Sequence, residues 1–413
     1  MQIEIKTLTK AEFAAYADFS GYSFNEEPKK VLEYLERTEQ TGEAKLGLLV
    51  DGKLAVGLLD RRFRVNVGGR LVAANGIGLV ASASETRRRG LVRQLFARHL
   101  ADLRDEGVAL SLLYPFQFRF YNRLGWGLGG RKLRVKVPPK EFAGYGESVG
   151  RVRQVFFAEK GEARPVGGET MEGVIATLDA VYRQGLDHWA LMADREEADW
   201  RAHKLRVNGP GRQYVFVWET DAGVPEGYVS LFNNESGYEV DLQCSEIAAV
   251  SPDAWRGLFF FLSCHDAHVK RVVMDLPSDH QILELLVDPL VEGKPDHSPM
   301  ARAVDVAALL SARGAPAESS GELTLAVDDD LAPWNDGTFR VRCSGGEVDA
   351  AKVEDVGSAD LSAPIDVLSQ MLVGTRSVDD MLRFGLVKAK PGPGLELARR
   401  LLPARPVWHR EYY

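Results

Sequence analysis

Only three cysteines occur in 413 residues, Cys244, Cys264 and Cys343, and none stands in a CxxC spacing. Their number and spacing indicate neither a disulfide framework nor a cysteine zinc site, and three small buried hydrophobes are the expectation. No run of roughly 18 apolar residues is present, so no membrane-spanning helix is expected. The opening MQIEIKTLTKAEF carries Glu4 and Lys6 where a secretion signal has an apolar core, and a cytoplasmic location is the expectation. Also absent are GxSxG, HExxH and Walker A patterns, and any long Lys/Arg tract interleaved with aromatics. The absences set aside the hydrolase, metalloprotease and NTPase signatures, and nucleic acid as a partner.

What remains is an ordinary globular composition, 45% hydrophobic, 27% charged and 9% aromatic. The length exceeds what one hydrophobic core serves and predicts two or three domains. Charge is divided unevenly. Residues 1–150 hold 24 Lys and Arg against 17 Asp and Glu, a net of +7, while residues 151–413 hold 27 against 42, a net of −15. A basic first segment suits an anionic ligand such as a phosphorylated cofactor, and an acidic remainder attracts cations. Uneven surface charge without a ligand gives the same asymmetry.

Residues 9–16 and 28–39 read as helices, and 44–50 and 53–67 as strands joined by an Asp51-Gly52 turn. A second turn at Gly68-Gly69 leads to a strand over 73–80. A helix then runs from Leu91 to about Glu106, with Val92, Leu95, Phe96, Leu100 and Leu103 at helical spacing and Gly107 as its cap. Residues 108–114 form a nearly unbroken apolar strand, as in a sheet covered on both faces. Gly-rich and charged stretches at 144–150 and 159–169 mark a boundary. The pattern then restarts: a helix containing Leu178, Val181 and Tyr182, strands at 213–219, 226–233 and 238–249, an apolar helix over 255–262 opened by Ser251-Pro252, a strand at 271–276 and a short helix at 279–286. The Pro/Gly-rich stretch 288–299 leads into a last domain. The division is 1–150, 151–290 and 291–413.

The strongest local signal is VASASETRRRGL, residues 80–91, between a buried strand and an amphipathic helix. Such a turn leaves backbone N–H groups at a helix N-terminus, where partial positive charge is available to a pyrophosphate. Gly90 lets the backbone approach closely, and Arg87, Arg88 and Arg89 add charge. The expected cofactor contacts are therefore the split strand and helix start: Val80, Ala81 and Ser82 with Arg87, Arg88, Arg89, Gly90 and Leu91. A solvated helix cap is the competing reading of the same residues.

The Arg87-x-x-Gly90-x-Val92 run resembles the R/QxxGxG/A pyrophosphate motif of the GNAT acetyltransferase superfamily, with Val92 departing from the usual Gly or Ala. PFQFRFYNRLGWG, residues 115–127, resembles the segment that closes a GNAT fold, with Tyr121 as its aligned tyrosine. The resemblance implies that Tyr121 is the general acid protonating the departing thiolate of coenzyme A. A core tyrosine is the alternative. TRRRGLVRQLF, the tyrosine segment, a second GNAT-like domain without the RxxGxG/A motif, and the chain end together resemble the Eis (enhanced intracellular survival) family of aminoglycoside acetyltransferases over the full length.

The last domain resembles the sterol carrier protein fold, with strands at 321–328 and 337–342 and helices at 361–373 and 376–385. The implied fold class is α+β: two tandem GNAT-like domains followed by a sterol carrier protein-like α+β domain whose tail enters the first active site. The resemblance further implies acetyl-CoA as co-substrate, no metal, an amine-bearing small molecule or peptide as acceptor, a homo-hexamer, and the Tyr413 carboxylate as general base. A chain-terminal carboxylate ordinarily titrates at roughly 3.5, so it is a weak base toward an ammonium unless it is desolvated or works through a water. A tail packed for stability alone competes with this role.

Cys264-His265-x-x-His268 places two imidazoles at i and i+3 and invites a zinc reading, but no third ligand follows from spacing. Two functional classes stand at this point. One is an amine acetyltransferase, acting on polycationic small molecules or protein lysines. The other is a lipid- or partner-binding protein that uses the last domain, its GNAT motifs being vestigial.

Overall fold

The computed structural model describes residues 2–39, 42–145, 149–159, 161–205, 211–233, 240–278, 286–288, 291–297, 299–354 and 358–413. Contacts divide the chain into two units. One comprises Met1–Gly130, Trp189–Asp194 and Ser298–Tyr413, the other Arg131–His188 and Arg195–His297.

The first unit begins with β1 (Ile3–Thr7), α1 (Lys10–Phe24), α2 (Pro28–Glu39), β2 (Ala44–Val50), β3 (Lys53–Val67), β4 (Arg70–Ser82), α3 (Leu91–Asp105), β5 (Leu110–Leu113), α4 (Phe118–Asn122) and β6 (Gly127–Leu128). Thr9 and Glu12 form a capping box that starts α1. The helix runs past residue 16, where the periodicity alone ended it, because Ala17, Ser20 and Gly21 continue its buried stripe. The β2–β3 hairpin turns on Asp51 and Gly52 with φ of 47° and 79°, the left-handed pair that a two-residue turn demands. β5 is shorter than the expected strand over 108–114.

The sheet has the order β1-β2-β3-β4-β5, then Met300–Ala303, then β6, and Ala193–Asp194 pairs with β3. The β4–β5 pair is parallel and is bridged by α3. Alternation along the strands gives the sheet two apolar faces. Ile77 and Leu113 pack with Leu95, Phe96 and Leu100 of α3, and Leu59 and Ala81 pack with Phe13, Tyr16 and Leu35 of α1 and α2. Each such fully buried side chain contributes on the order of 1.5–3 kcal/mol.

The sterol carrier protein-like domain lies in the same unit. Its sheet has the order Glu347–Val353, Gly337–Ser344, Gly321–Asp328, Leu361–Pro364, Lys388–Ala389. The helix expected over 361–373 is corrected here. Leu361–Pro364 is a strand paired with residues 325–328, and the helix is Ile365–Leu372. Pro364, fixed at φ −67° with an extended ψ of 152°, keeps the chain out of the helix until Ile365. The helix expected over 376–385 is confined to Val378–Arg383 by a Ser377/Asp380 capping box. This domain shares one core with the β3–β4 sheet, where Val65, Val67 and Val72 meet Leu309, Leu323 and Leu368. Arg302 is buried in that seam, with Asp329 at 2.8 and 2.6 Å and the Trp126 ring at 5.3 Å.

The second unit has its own eight-stranded sheet, in the order Glu292–His297, Arg131–Val137, Val269–Pro277, Val240–Ala249, Pro225–Asn233, Arg212–Glu219, Arg151–Glu159, Glu162–Pro165. Strand pairing thus gives residues 131–137 to this sheet, although they precede the sequence boundary near 150. The parallel pair here is Val240–Ala249 with Val269–Pro277, bridged by the helix Pro252–Ser263. Residues 279–285 of the expected short helix lie outside the described residues.

Candidate functional site

The site begins with a defect in β4. Gly57 pairs with Ala81 and Leu59 with Gly78, so Leu79 and Val80 together oppose the single residue Leu58. This is a bulge, and Leu79 adopts φ +49° within it. Pairing with β5 ends at Ile77 opposite Leu113, yet β4 continues to Ser82. The two parallel strands therefore part where the bulge begins, and the backbone from Gly78 onward loses its β5 neighbour.

The eight-residue connection 83–90 follows, with a 3₁₀ turn at Ser84–Thr86 fixed by the Thr86 hydroxyl donating to the Ala83 carbonyl at 2.8 Å. Gly90 is the N-cap of α3 with φ +75°, and no side chain caps that end. The first intrahelical bond is from Gln94 N–H to the Gly90 carbonyl, so the preceding N–H groups of the helix are directed outward. A Cβ on Gly90 would meet no protein atom within 4 Å, so nothing in the chain fills the space in front of the helix.

Two joined cavities occupy that space. One of about 530 Å³ is lined by Ser23, Phe24, Val80, Ala81, Ser82, Arg87, Arg88, Val92, Phe116 and Phe120. The other, of about 310 Å³, is lined by Ser82, residues 86–93, Phe120, Arg123 and Leu124. Every residue expected from the sequence to hold a cofactor lines one or both. The second cavity is lined by five arginines, at 87, 88, 89, 93 and 123, and by no carboxylate. Arg87 is partly engaged, donating to the Ser23 hydroxyl at 2.9 Å and the Ser82 carbonyl at 3.3 Å. The chain thus juxtaposes an apolar channel and a cationic mouth, which fits a ligand with an apolar arm and a polyanionic end.

Tyr121 sits on α4, buried, with its ring stacked 6.2 Å from Phe96 and edge-on to Phe116 and Phe120 at 5.3 and 5.1 Å. Burial pushes its phenol pKa well above the usual value, so the hydroxyl keeps its proton through neutral and mildly alkaline pH. Phe116 and Phe120 line the first cavity and Tyr121 packs behind them, lining neither cavity itself.

The end of the chain approaches β4 on the α1 face. A Cβ on Gly76 would overlap the Tyr413 ring, and one on Gly78 would overlap the Tyr413 carbonyl carbon, so these two glycines make the seat that the last residue occupies. Phe63, Tyr114 and His409 surround the Tyr413 ring at centroid distances of 5.7, 5.6 and 6.0 Å. Buried Arg61 donates to the Tyr412 carbonyl at 3.1 Å and lies 3.8 Å from the Glu411 carboxylate. Residues 189–194 hold the tail from outside. Ala190 N–H donates to the Pro406 carbonyl, Trp408 N–H to the Ala190 carbonyl, and His409 Nδ1 lies 2.8 Å from the Leu191 carbonyl.

Ser23, Phe24, Phe116, Phe120 and Arg123 line the cavities without having been singled out from sequence. Their roles depend on contacts across the fold; only the aromatic density of residues 115–127 hinted at them. Cys264, expected from sequence to be buried, is exposed, and beside it His265 Nδ1 is 2.9 Å from the Phe261 carbonyl. Among the described residues, no group of three or more His, Cys, Asp or Glu is placed to hold a metal ion.

Residues 4–129 match the acetyltransferase (GNAT) domain family, residues 191–303 match a second acetyltransferase (GNAT) domain family, and residues 306–410 match the sterol carrier protein domain family. An uncharacterized N-acetyltransferase of Streptomyces avermitilis is 27% identical over 379 residues, 87% of each chain. Eis1 from Mycobacterium abscessus has the same fold over 100% of both chains, with a TM-score of 0.77 at 21% identity. The chain is a GNAT acetyltransferase, and it shares its fold with Eis1. A probable N-acyltransferase of Enterococcus faecalis also superposes on this acetyltransferase over 100% of both chains, with a TM-score of 0.86 at 23% identity. Two GNAT domains and a sterol carrier protein-like domain account for its α+β architecture. Among the described residues of this acetyltransferase, no helix is long and apolar enough to cross a membrane.

Proposed function

We propose that this chain transfers an acetyl group from acetyl-coenzyme A to an amine at the β4–α3 cleft of its first domain. The observation that carries the reading is the uncapped start of α3 at Gly90, open in front and faced by five arginines. A pyrophosphate there receives backbone N–H groups and the positive end of the helix dipole. The apolar cavity beside Val80, Ala81, Ser82 and Phe120 suits a pantetheine arm. Acetyl-coenzyme A, when bound, supplies the thioester whose carbonyl carbon takes the amine.

The residues of this chain then divide the proton work. Tyr121, kept protonated by its burial, is the acid for the departing sulfur. The Tyr413 carboxylate, seated on Gly78, offsets the charge of an incoming ammonium. The amine attacks as the free base, after its ammonium proton has passed to solvent. The carboxylate receives the second proton from that nitrogen as the C–N bond forms, when the N–H becomes far more acidic and a weak base suffices. The acidic balance of residues 151–413 and the ring cluster around Tyr413 support a polycationic acceptor, and aminoglycosides, polyamines and lysine peptides are the classes to compare.

The test is release of free thiol from acetyl-coenzyme A across those three classes of amine, with calorimetry of coenzyme A binding alongside. No binding and no thiol release with any amine overturns the proposal. A variant extended beyond Tyr413 should bind coenzyme A and melt like the wild type yet turn over slowly. Full activity in the extended chain removes the carboxylate from the mechanism and leaves the rest intact.

A further inference from the structure

The bulge in β4 is held by a side chain from α1. Leu79 has φ +49°, a left-handed backbone that apolar side chains rarely adopt. Its carbonyl accepts a hydrogen bond of 2.7 Å from the Tyr16 hydroxyl. Tyr16 is fully buried, and its ring crosses β3 directly over Gly57, where any Cβ would overlap it. Gly57 therefore opens the path by which the phenol reaches the bulge. Burial raises the Tyr16 pKa well above its usual value, so the hydroxyl is a permanent donor.

A trans peptide is planar, and its C=O and N–H point in opposite directions. With the Leu79 carbonyl turned to Tyr16, the Val80 N–H is turned away from α1. Val80 lines the 530 Å³ cavity beside Ala81 and Ser82. The parallel-paired strand of the second domain, Val240–Ala249, has no left-handed residue to turn a peptide in this way.

We infer that Tyr16 is a positioning residue that holds the Leu79–Val80 peptide so that its N–H donates to the thioester carbonyl oxygen of the acyl donor, where negative charge develops as the amine adds. The inference rests on the acetyl-coenzyme A reading above. A donor preorganised in this way stabilises the transition state more than the ground state, so its loss affects turnover and spares affinity.

The test is isotope-edited infrared spectroscopy of acetyl-coenzyme A labelled with ¹³C at the acetyl carbonyl. Bound to wild-type protein, the carbonyl band should lie below its position in free acetyl-coenzyme A. In Tyr16→Phe the band should move back toward the free position, with kcat reduced roughly 10- to 100-fold, somewhat less than loss of a whole oxyanion donor. KM for acetyl-coenzyme A should change less than about threefold, because the donor acts on turnover. Gly57→Ala, which displaces the Tyr16 ring while keeping its hydroxyl, should give the same spectral change. A lowered band that survives in both variants, with wild-type kcat, overturns the inference. Wild-type protein that turns acetyl-coenzyme A over with an unshifted band overturns it without needing either variant, and leaves the acetyltransferase reading standing. Wild-type protein that does not bind acetyl-coenzyme A overturns both.

Discussion

Both GNAT domains contain a parallel strand pair bridged by a helix, and they treat the start of that helix in opposite ways. In the first, eight residues separate β4 from α3, the N-cap is a left-handed Gly90, and no side chain caps the helix. In the second, only Val250 and Ser251 separate Ala249 from Pro252. Ser251 accepts the Ala254 N–H at 3.2 Å, and Pro252 at the first helical position has no N–H to offer. Of the donors left open in the first domain, the second satisfies one and deletes another.

The interiors differ in the same sense. The second domain buries Arg195, held by Glu246 at 2.8 and 3.2 Å, with its guanidinium 3.8 Å from the Tyr182 ring centroid and 4.6 Å from that of Trp200. Strand order survives a change of purpose easily, because it depends on apolar alternation. A ligand site depends on which backbone groups are left unsatisfied, and a capping serine followed by a proline takes two of them away.

The comparison can be broken most forcefully at Tyr121. If only the first domain is catalytic and Tyr121 is its acid, Tyr121→Phe lowers kcat by roughly 10²- to 10⁴-fold, while calorimetry gives an unchanged coenzyme A affinity. Its raised pKa also sets the sign of the pH dependence. The proton is present below that pKa, so Tyr121 contributes no falling alkaline limb to kcat below about pH 10. A wild-type rate in the variant places the acid elsewhere.

Next in size is the buried pair of the second domain. Glu246→Gln leaves Arg195 charged and without its carboxylate, which costs about 3–5 kcal/mol. Denaturant unfolding should show the loss, and coenzyme A affinity should stay within about twofold, since calorimetry reads only the first domain. An equal loss of affinity would mean that the second domain takes part in binding.

Gly90→Val sharpens the contrast between the two helix starts. A β-branched residue resists φ +75° and protrudes into the space before α3, so coenzyme A affinity should fall about 100-fold or more while the fold persists. Calorimetry of the wild type should give one site per chain, and of the variant none. A site that persists in Gly90→Val at full affinity lies somewhere other than this cleft.

The smallest effect belongs to Ser251→Ala. Losing the cap costs about 1 kcal/mol. It should not create a second coenzyme A site, because Pro252 still lacks its N–H and no arginine cluster stands before the helix. A second site appearing on titration would show that the serine alone had closed it.

Local chemistry was readable in the sequence. The Asp51-Gly52 hairpin, α2 over Pro28–Glu39 and the turn that ends at Gly90 all appear where their own residues specify them. Long-range pairing was not. Met300–Ala303 enters the first sheet between β5 and β6 with no signature beyond four small or mixed side chains. RKLRVKV, residues 131–137, reads as a continuation of the first domain, because nothing in its alternation names the sheet it joins. Tyr16 looks like an ordinary core position on α1, since the carbonyl it holds is 63 residues away. Arg87, Arg88 and Arg89 of the cleft were visible as a cluster in sequence, whereas Arg93 and Arg123 were not, and its aromatic wall is assembled from α1, α4 and the loop between β5 and α4.

The insertion of Met300–Ala303 beside β5 ties the maturation of the first sheet to the progress of synthesis. Ribosomes add about 5–20 residues per second, so roughly 10–40 s pass between the emergence of Leu113 and that of its antiparallel partner Met300. Throughout that interval β5 presents an unpaired, largely apolar edge, LSLL, of the kind that recruits strands from other chains. Expression yield should therefore respond to translation speed and to chaperones that shield strand edges, even in variants whose finished fold is as stable as the wild type.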